Sequence, residues 1–114
     1  MSECLFCKIR DGEIPGDIVY ENDRILAFND INPVAPTHIL IIPKEHISTL
    51  NDLEKNHTQT MGELFLVAKE IASKEGLSES GYRTIFNCNE HGQQTVFHIH
   101  LHLIGGRQMT WPPG

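Results

Sequence analysis

Three of the seven histidines in this 114-residue chain stand at alternate positions: His98, His100 and His102. They lie within Phe97-His98-Ile99-His100-Leu101-His102-Leu103-Ile104, which reads as a strand. Successive side chains of a strand point to opposite faces, so Phe97, Ile99, Leu101 and Leu103 form one apolar face expected to pack on a helix. The three imidazoles fall on the other face, about 6.6 Å apart along the backbone. Histidine has no special strand propensity; the apolar face explains the fold but not the histidines. Two chemistries suit them. Neutral nitrogens converging on one Zn²⁺ with an open fourth position would make a catalytic metal site. Alternatively, one imidazole attacks phosphorus while its neighbours position the phosphate and the leaving group.

A second constellation is Cys4-x-x-Cys7. A redox pair of this spacing opens a helix after a strand, yet only three residues precede Cys4. The pair supplies half of a tetrahedral metal site, or else two unrelated thiols. Three cysteines are an odd number, so no disulfide framework is expected. Cys88, in an apolar stretch, reads as a small buried hydrophobe. His57 and His91 read as solvated surface, and Asp30, just before Asn32-Pro33, suits a turn former.

The elements that must hold these groups follow from periodicity. Asp17–Glu21 and Ile25–Phe28 flank the turn residues Glu21-Asn22-Asp23-Arg24 and predict a hairpin. Asn32-Pro33 and Ala35-Pro36 break the chain before the strand Thr37–Ile42. After a turn around Asn51 to Glu54, Met61, Leu64, Phe65, Ala68, Ile71 and Ala72 follow a 3.6-residue period, which predicts the main helix. Gly76 is expected to stop it. Leu5–Arg10 predicts a short helix closed at Asp11-Gly12. Tyr82–Cys88 and Val96–Ile104 complete five strands. The fold class is therefore α+β: a five-stranded, mostly antiparallel sheet with one main helix and a short N-terminal helix. Residues 1–114 read as a single domain, without repeats or linkers.

Composition narrows the function. Nine Lys+Arg against fifteen Asp+Glu give a net charge of −6, which argues against nucleic acid or an anionic membrane as partner. No apolar run nears the roughly 20 residues that span a bilayer. The N-terminal Met-Ser-Glu-Cys-Leu-Phe-Cys lacks the basic and apolar regions of a secretory signal, so a cytoplasmic location is expected (also nuclear, in a eukaryote).

Together these residues resemble the histidine triad family, in its nucleotide-binding branch of purine nucleoside phosphoramidases. The resemblance rests on His98-Ile99-His100-Leu101-His102-Leu103-Ile104 and on Asp30-Ile31-Asn32-Pro33 through Ala35-Pro36-Thr37-His38 and Ile42-Pro43-Lys44. Gly105-Gly106-Arg107-Gln108-Met109 and the ending Trp111-Pro112-Pro113-Gly114 extend it over nearly the whole chain. It implies hydrolysis of purine nucleoside phosphoramidates or aminoacyl-adenylates (AMP or GMP conjugates) through a nucleotidyl-histidine intermediate. His100 would be the nucleophile, with a backbone carbonyl of its own strand on its other nitrogen. His102 would hold phosphate oxygens and assist the leaving group, with His38 in the same pocket. Asp30 would take the ribose hydroxyls. Phe6, Ile9, Phe28, Ile31 and Leu40 would wall the base, and Asn87, Gln94 and Thr95 would face the phosphate. Without the resemblance, Phe28, Ile31 and Leu40 read as ordinary core and Phe6 and Ile9 as the buried stripe of the short helix.

The same resemblance implies a structural zinc on Cys4, Cys7, His46 and His98, no catalytic metal, and a homodimer. In that dimer two sheets join edge to edge through the main helix and a neighbouring strand, with Trp111 expected to act across the interface. Two other readings stay open: a nucleotide-binding regulator with incidental hydrolysis, and a zinc hydrolase using all three triad histidines. One departure stands out. In Asn89-Glu90-His91-Gly92-Gln93-Gln94-Thr95 the family commonly has a second glycine where this chain has Gln93. Glycine allows positive φ and close approach to a phosphate, so the loop geometry is in question.

Overall fold

The computed structural model describes residues 3–114. Its elements run α1 (Leu5–Arg10), β1 (Ile18–Glu21), β2 (Ile25–Asn29), β3 (Thr37–Pro43), α2 (Thr58–Lys74), β4 (Tyr82–Ile85) and β5 (Leu101–Gly105). Five strands form one antiparallel sheet in the order β1-β2-β3-β5-β4. This is the α+β architecture the sequence predicts. No described helix is long and apolar enough to cross a membrane.

Local chemistry sets the turns. The Asn22 side-chain oxygen accepts from the amides of Arg24 and Ile25, closing the β1–β2 hairpin. Asp30 accepts the Asn32 amide through its side chain at 2.8 Å, the Asx turn that its place before Asn32-Pro33 suggests. Helix α2 ends at Lys74 with Glu75 as its C-cap, and Gly76 follows with φ +75°, the left-handed conformation that favours glycine.

The sheet buries both faces at its centre. Ile25 and Ala27 of β2, Ile39 and Ile41 of β3, and Leu101 and Leu103 of β5 pack against Leu64, Val67, Ala68, Ile71 and Ala72 of α2. The alternate residues Leu26, Phe28, Leu40 and Ile42 pack against Phe6 of α1 on the other face. That is why β3 reads as a continuous apolar run instead of an alternating one. The histidines emerge on the α1 face.

Four expectations need correction. The strand expected over Val96–Ile104 begins only at Leu101. It pairs with β3 from Ile41; continued register would bring Pro43 opposite Ile99, and Pro43 has no amide to donate. The strand expected over Tyr82–Cys88 ends at Ile85, where the chain turns into the loop that flanks the site. Phe65 and Phe97, expected on buried faces, are both 48% exposed, and Val67 takes the place of Phe65 in the core. His57 is not surface but 7% exposed. Its Nδ1 accepts the Glu54 amide at 2.9 Å and its Nε2 faces Glu45 Oε2 at 3.2 Å, so it closes the turn that leads into α2.

Candidate functional site

A cavity of about 530 Å³ opens on the α1 face of the sheet. Phe6, Ile9, Phe28, Asp30, Ile31, Leu40, Thr95, His100 and His102 line it, so nine of the residues singled out from the sequence converge. Phe6 meets Phe28 edge-on at 5.3 Å between ring centres and His100 at 4.9 Å, so the apolar wall reaches the imidazole directly. Asn87 and Gln94 are not on the wall. Asn87 Nδ2 donates to Gly92 O at 2.6 Å, and Gln94 Nε2 donates to Ser48 O and Val96 O while its Oε1 accepts the Asn89 amide. They shape the 89–95 loop instead of facing the cavity. At the position where the glycine is missing, Gln93 itself takes a left-handed φ of 64°. Gly92 is not replaceable in the same way: a Cβ there would lie 2.6 Å from Cys88 O.

Sequence reasoning missed Ile14, Pro15, Gly16, Asp17, Asn29 and Asn32 on the cavity wall. Pro15-Gly16 was the available signal, a punctuation that turns the chain back between α1 and β1.

The imidazole protons can be placed from their partners. Val34 N–H donates to His38 Nδ1 at 3.2 Å, so His38 carries its proton on Nε2. That Nε2 lies 2.9 Å from His102 Nδ1, which therefore accepts. His102 must then carry its proton on Nε2, a buried atom with no hydrogen-bond partner among the described residues. A buried donor without a partner is costly, and this one belongs to a side chain on the cavity wall. His100 is the complement. Its Nδ1–H donates to His98 O at 2.8 Å, which leaves the Nε2 lone pair free. The pair therefore offers a nucleophile and a hydrogen-bond donor side by side, with ring centres 4.9 Å apart.

Burial keeps these groups neutral. It pushes His102 down to about 4, with His100 and His38 adding to the shift. Burial also lowers His100, partly opposed by the His98 carbonyl and the Asp30 charge. His38 is lowered by burial against the pull of Asp30.

His98 stands apart from this cavity. Its Nε2–H donates to Pro43 O at 2.8 Å, and its Nδ1 lies 3.4 Å from Cys4 Sγ, 3.6 Å from Cys7 Sγ and 3.2 Å from His46 Nδ1. Cys7 Sγ is 3.4 Å from His46 Nδ1. Zinc bonds of about 2.3 Å to sulfur and 2.05 Å to nitrogen give tetrahedral edges of roughly 3.5–3.6 Å (S···N) and 3.3–3.4 Å (N···N). The four distances lie within about 0.2 Å of those edges, and the two imidazoles have their remote nitrogens on Pro43 O and Ser48 Oγ, the outer contacts that orient metal ligands. The four residues fit a closed tetrahedral ion. The three triad imidazoles do not converge on one point: His98 joins the cysteines, whereas His102 joins Asp30 and His38.

Residues 3–111 match the family described as scavenger mRNA decapping enzyme C-terminal binding. The chain is 54% identical over 107 residues to the purine nucleoside phosphoramidase of Escherichia coli K12, covering 94% of this chain and 90% of that protein. It is 53% identical over 115 residues to the 14 kDa zinc-binding protein of Zea mays, covering 99% and 89%. The crystal structure of a HIT family hydrolase from Legionella pneumophila Philadelphia 1 superimposes with a TM-score of 0.97 at 59% identity, over 98% of this chain and all (100%) of that one.

Proposed function

The chain belongs to the histidine triad (HIT) family, and from that premise we propose that it hydrolyses purine nucleoside phosphoramidates, with aminoacyl-adenylates as related substrates. The observation that carries this reading is the proton arrangement of two neighbouring imidazoles: a free lone pair on His100 Nε2 beside an unpartnered N–H on His102. The similarity to a purine nucleoside phosphoramidase supports it independently.

In this reading the base lies among Phe6, Ile9, Phe28, Ile31 and Leu40, and Asp30 accepts from the ribose hydroxyls. His102 Nε2–H holds a phosphate oxygen. His100 Nε2 attacks phosphorus as the P–N bond breaks, and the amine departs with the bonding pair and takes a proton from solvent. Water then forms the new P–O bond and releases a proton to solvent, the Nε2–P bond breaks with its electron pair returning to the ring, and neutral His100 is restored. The Nδ1–H of His100 on the His98 carbonyl stabilises the positive charge that its ring gains on attack. His38 acts through His102, fixing the nitrogen that carries the proton.

Cys4, Cys7, His46 and His98 hold a structural zinc. With four protein ligands such an ion has no open position for water or substrate and supplies folding free energy. The similarity to a zinc-binding protein supports this reading. The chain forms a homodimer and works in the cytoplasm.

Mass spectrometry of enzyme quenched during turnover of an adenosine phosphoramidate tests the central step. The nucleotidyl mass is expected on the His100 peptide. His100→Asn should abolish adduct and turnover yet still bind AMP, whereas removing the single contact of His102 should slow the reaction by about 10²–10³. An adduct on His98 or His102, or inversion at phosphorus with no adduct, overturns the mechanism. Less than about a tenth of an equivalent of zinc in reduced protein, where structural sites bind tightly, overturns the metal assignment.

A further inference from the structure

We propose that the Cys4–Cys7–His46–His98 cluster is a positioning clamp for the nucleotide cavity, so that metal and nucleotide bind with positive cooperativity. The proposal rests on the zinc and nucleotide readings above and adds a coupling between them. Two connections carry it.

The first runs through His98. Its side chain belongs to the cluster, and its backbone carbonyl is the partner of His100 Nδ1–H at 2.8 Å. This stretch precedes β5, so no ladder holds it. Its own ties are the His98 Nε2–H bond to Pro43 O and the Ile99 amide bond to Ile47 O at 2.7 Å. An ion on His98 Nδ1 would fix the carbonyl on which the His100 tautomer depends.

The second runs through Phe6, which lies between the two cysteines in sequence. Helix α1 has six residues, well below the ~12–15 that an isolated helix needs, so its placement depends on what its side chains grip. Cys4 caps it and Cys7 sits in its first turn, with the Cys7 amide on Cys4 Sγ at 3.3 Å. The residue thus anchored on both sides presents its ring to His100 and to the cavity.

Linkage makes the prediction symmetric: a factor by which zinc tightens nucleotide is the factor by which nucleotide tightens zinc. The test compares zinc-loaded protein with protein stripped by chelator, using circular dichroism to choose conditions in which the stripped form stays folded. AMP affinity is expected to fall by about 5-fold or more on stripping, within the ordinary range of such couplings. The ¹⁵N resonances of the His100 ring should report a single Nδ1–H tautomer when loaded and a mixture when stripped. Should the stripped protein unfold, exchange of zinc for the larger Cd²⁺ keeps the chain folded and widens the cluster; the His100 resonances and AMP affinity should then shift between the two loaded forms. Zinc-loaded, stripped and cadmium-loaded proteins with the same AMP affinity and the same His100 resonances overturn the clamp alone. Absence of zinc from the purified protein overturns the metal reading and the clamp with it, and failure of the loaded protein to bind AMP does the same through the nucleotide reading.

Discussion

Four imidazoles crowd this site, and a backbone group fixes the proton on three of them. The Val34 amide sets His38, the Pro43 carbonyl sets His98 and the His98 carbonyl sets His100; His102 inherits its tautomer from His38. Alternation in the sequence grouped the three imidazoles, of which His100 and His102 line the cavity while His98 joins the cysteines. It could not reveal their roles, because every residue carries an amide and a carbonyl and only the fold selects which ones reach a ring. The electrostatics lead to a pH prediction. Burial lowers His100, so its neutral, nucleophilic form persists below the ordinary imidazole value of about 6.5. The rate of adduct formation should stay level as pH falls through 6.5 and decline only below it. An acid limb centred at or above 6.5 in single-turnover measurements would contradict that. Stability follows the same sign: with His102 at about 4 in the folded chain, the unfolded chain binds protons first. The contribution is complete above roughly 6.5 and is lost as pH falls toward 4.

Helix α2 was legible because burial of one face enforces a period, and β2 and β3 because burial of both faces makes a continuous apolar run, whereas the stretch before β5 was not. Its apolar alternation continues through Ile99 although the ladder stops at Leu101; Ile99 stays buried after its amide changes partner to Ile47. The 89–95 loop shows the converse, a left-handed residue where the sequence has no glycine. Gln93 accepts φ 64°, a left-handed conformation that costs a non-glycine residue about 1–2 kcal/mol. Gln93→Gly removes that strain and adds roughly 0.5–1 kcal/mol of unfolded-chain entropy. The expected outcome is a stability equal to or about 1 kcal/mol above the parent, with turnover preserved. Gln93→Val, β-branched at the same φ, should be destabilised. Urea denaturation of the pair checks both, and equal midpoints for Gly and Val would remove the strain argument. On the opposite face, Leu64 lies fully buried against the sheet. Leu64→Ala should cost about 2–5 kcal/mol while leaving AMP affinity unchanged wherever the variant is folded.

The two edges of the sheet differ in a way that bears on assembly. Strand β1 occupies one edge, next to the Pro15-Gly16-Asp17 segment that lines the cavity; β4 occupies the other. On α2 and at the β4 edge the molecule leaves apolar side chains in water. Phe65 of α2 touches Phe86 just beyond β4, Leu66 is 65% exposed and Tyr82 opens the strand. An edge strand presents unpaired amides and carbonyls, and a flanking apolar helix face gives a second copy something to bury. The C-terminal tail reaches the same edge: Arg83 of β4 donates to Thr110 O at 2.8 Å and lies over the Trp111 ring at 5.9 Å, while Trp111 is 80% exposed. The proposed dimer therefore joins through β4 and α2, which would carry each Trp111 toward the partner. Leu66→Glu places a charge where that interface must be dry and should give monomers in sedimentation velocity runs in which the parent sediments as a dimer. Deleting residues 110–114 should leave AMP affinity nearly intact and change the preference among amine leaving groups. A monomeric parent at micromolar concentration would dismiss the interface. A dimeric parent whose tail deletion shows the same preference across a panel of amines would keep the interface and confine Trp111 to its own subunit, stacked on Arg83.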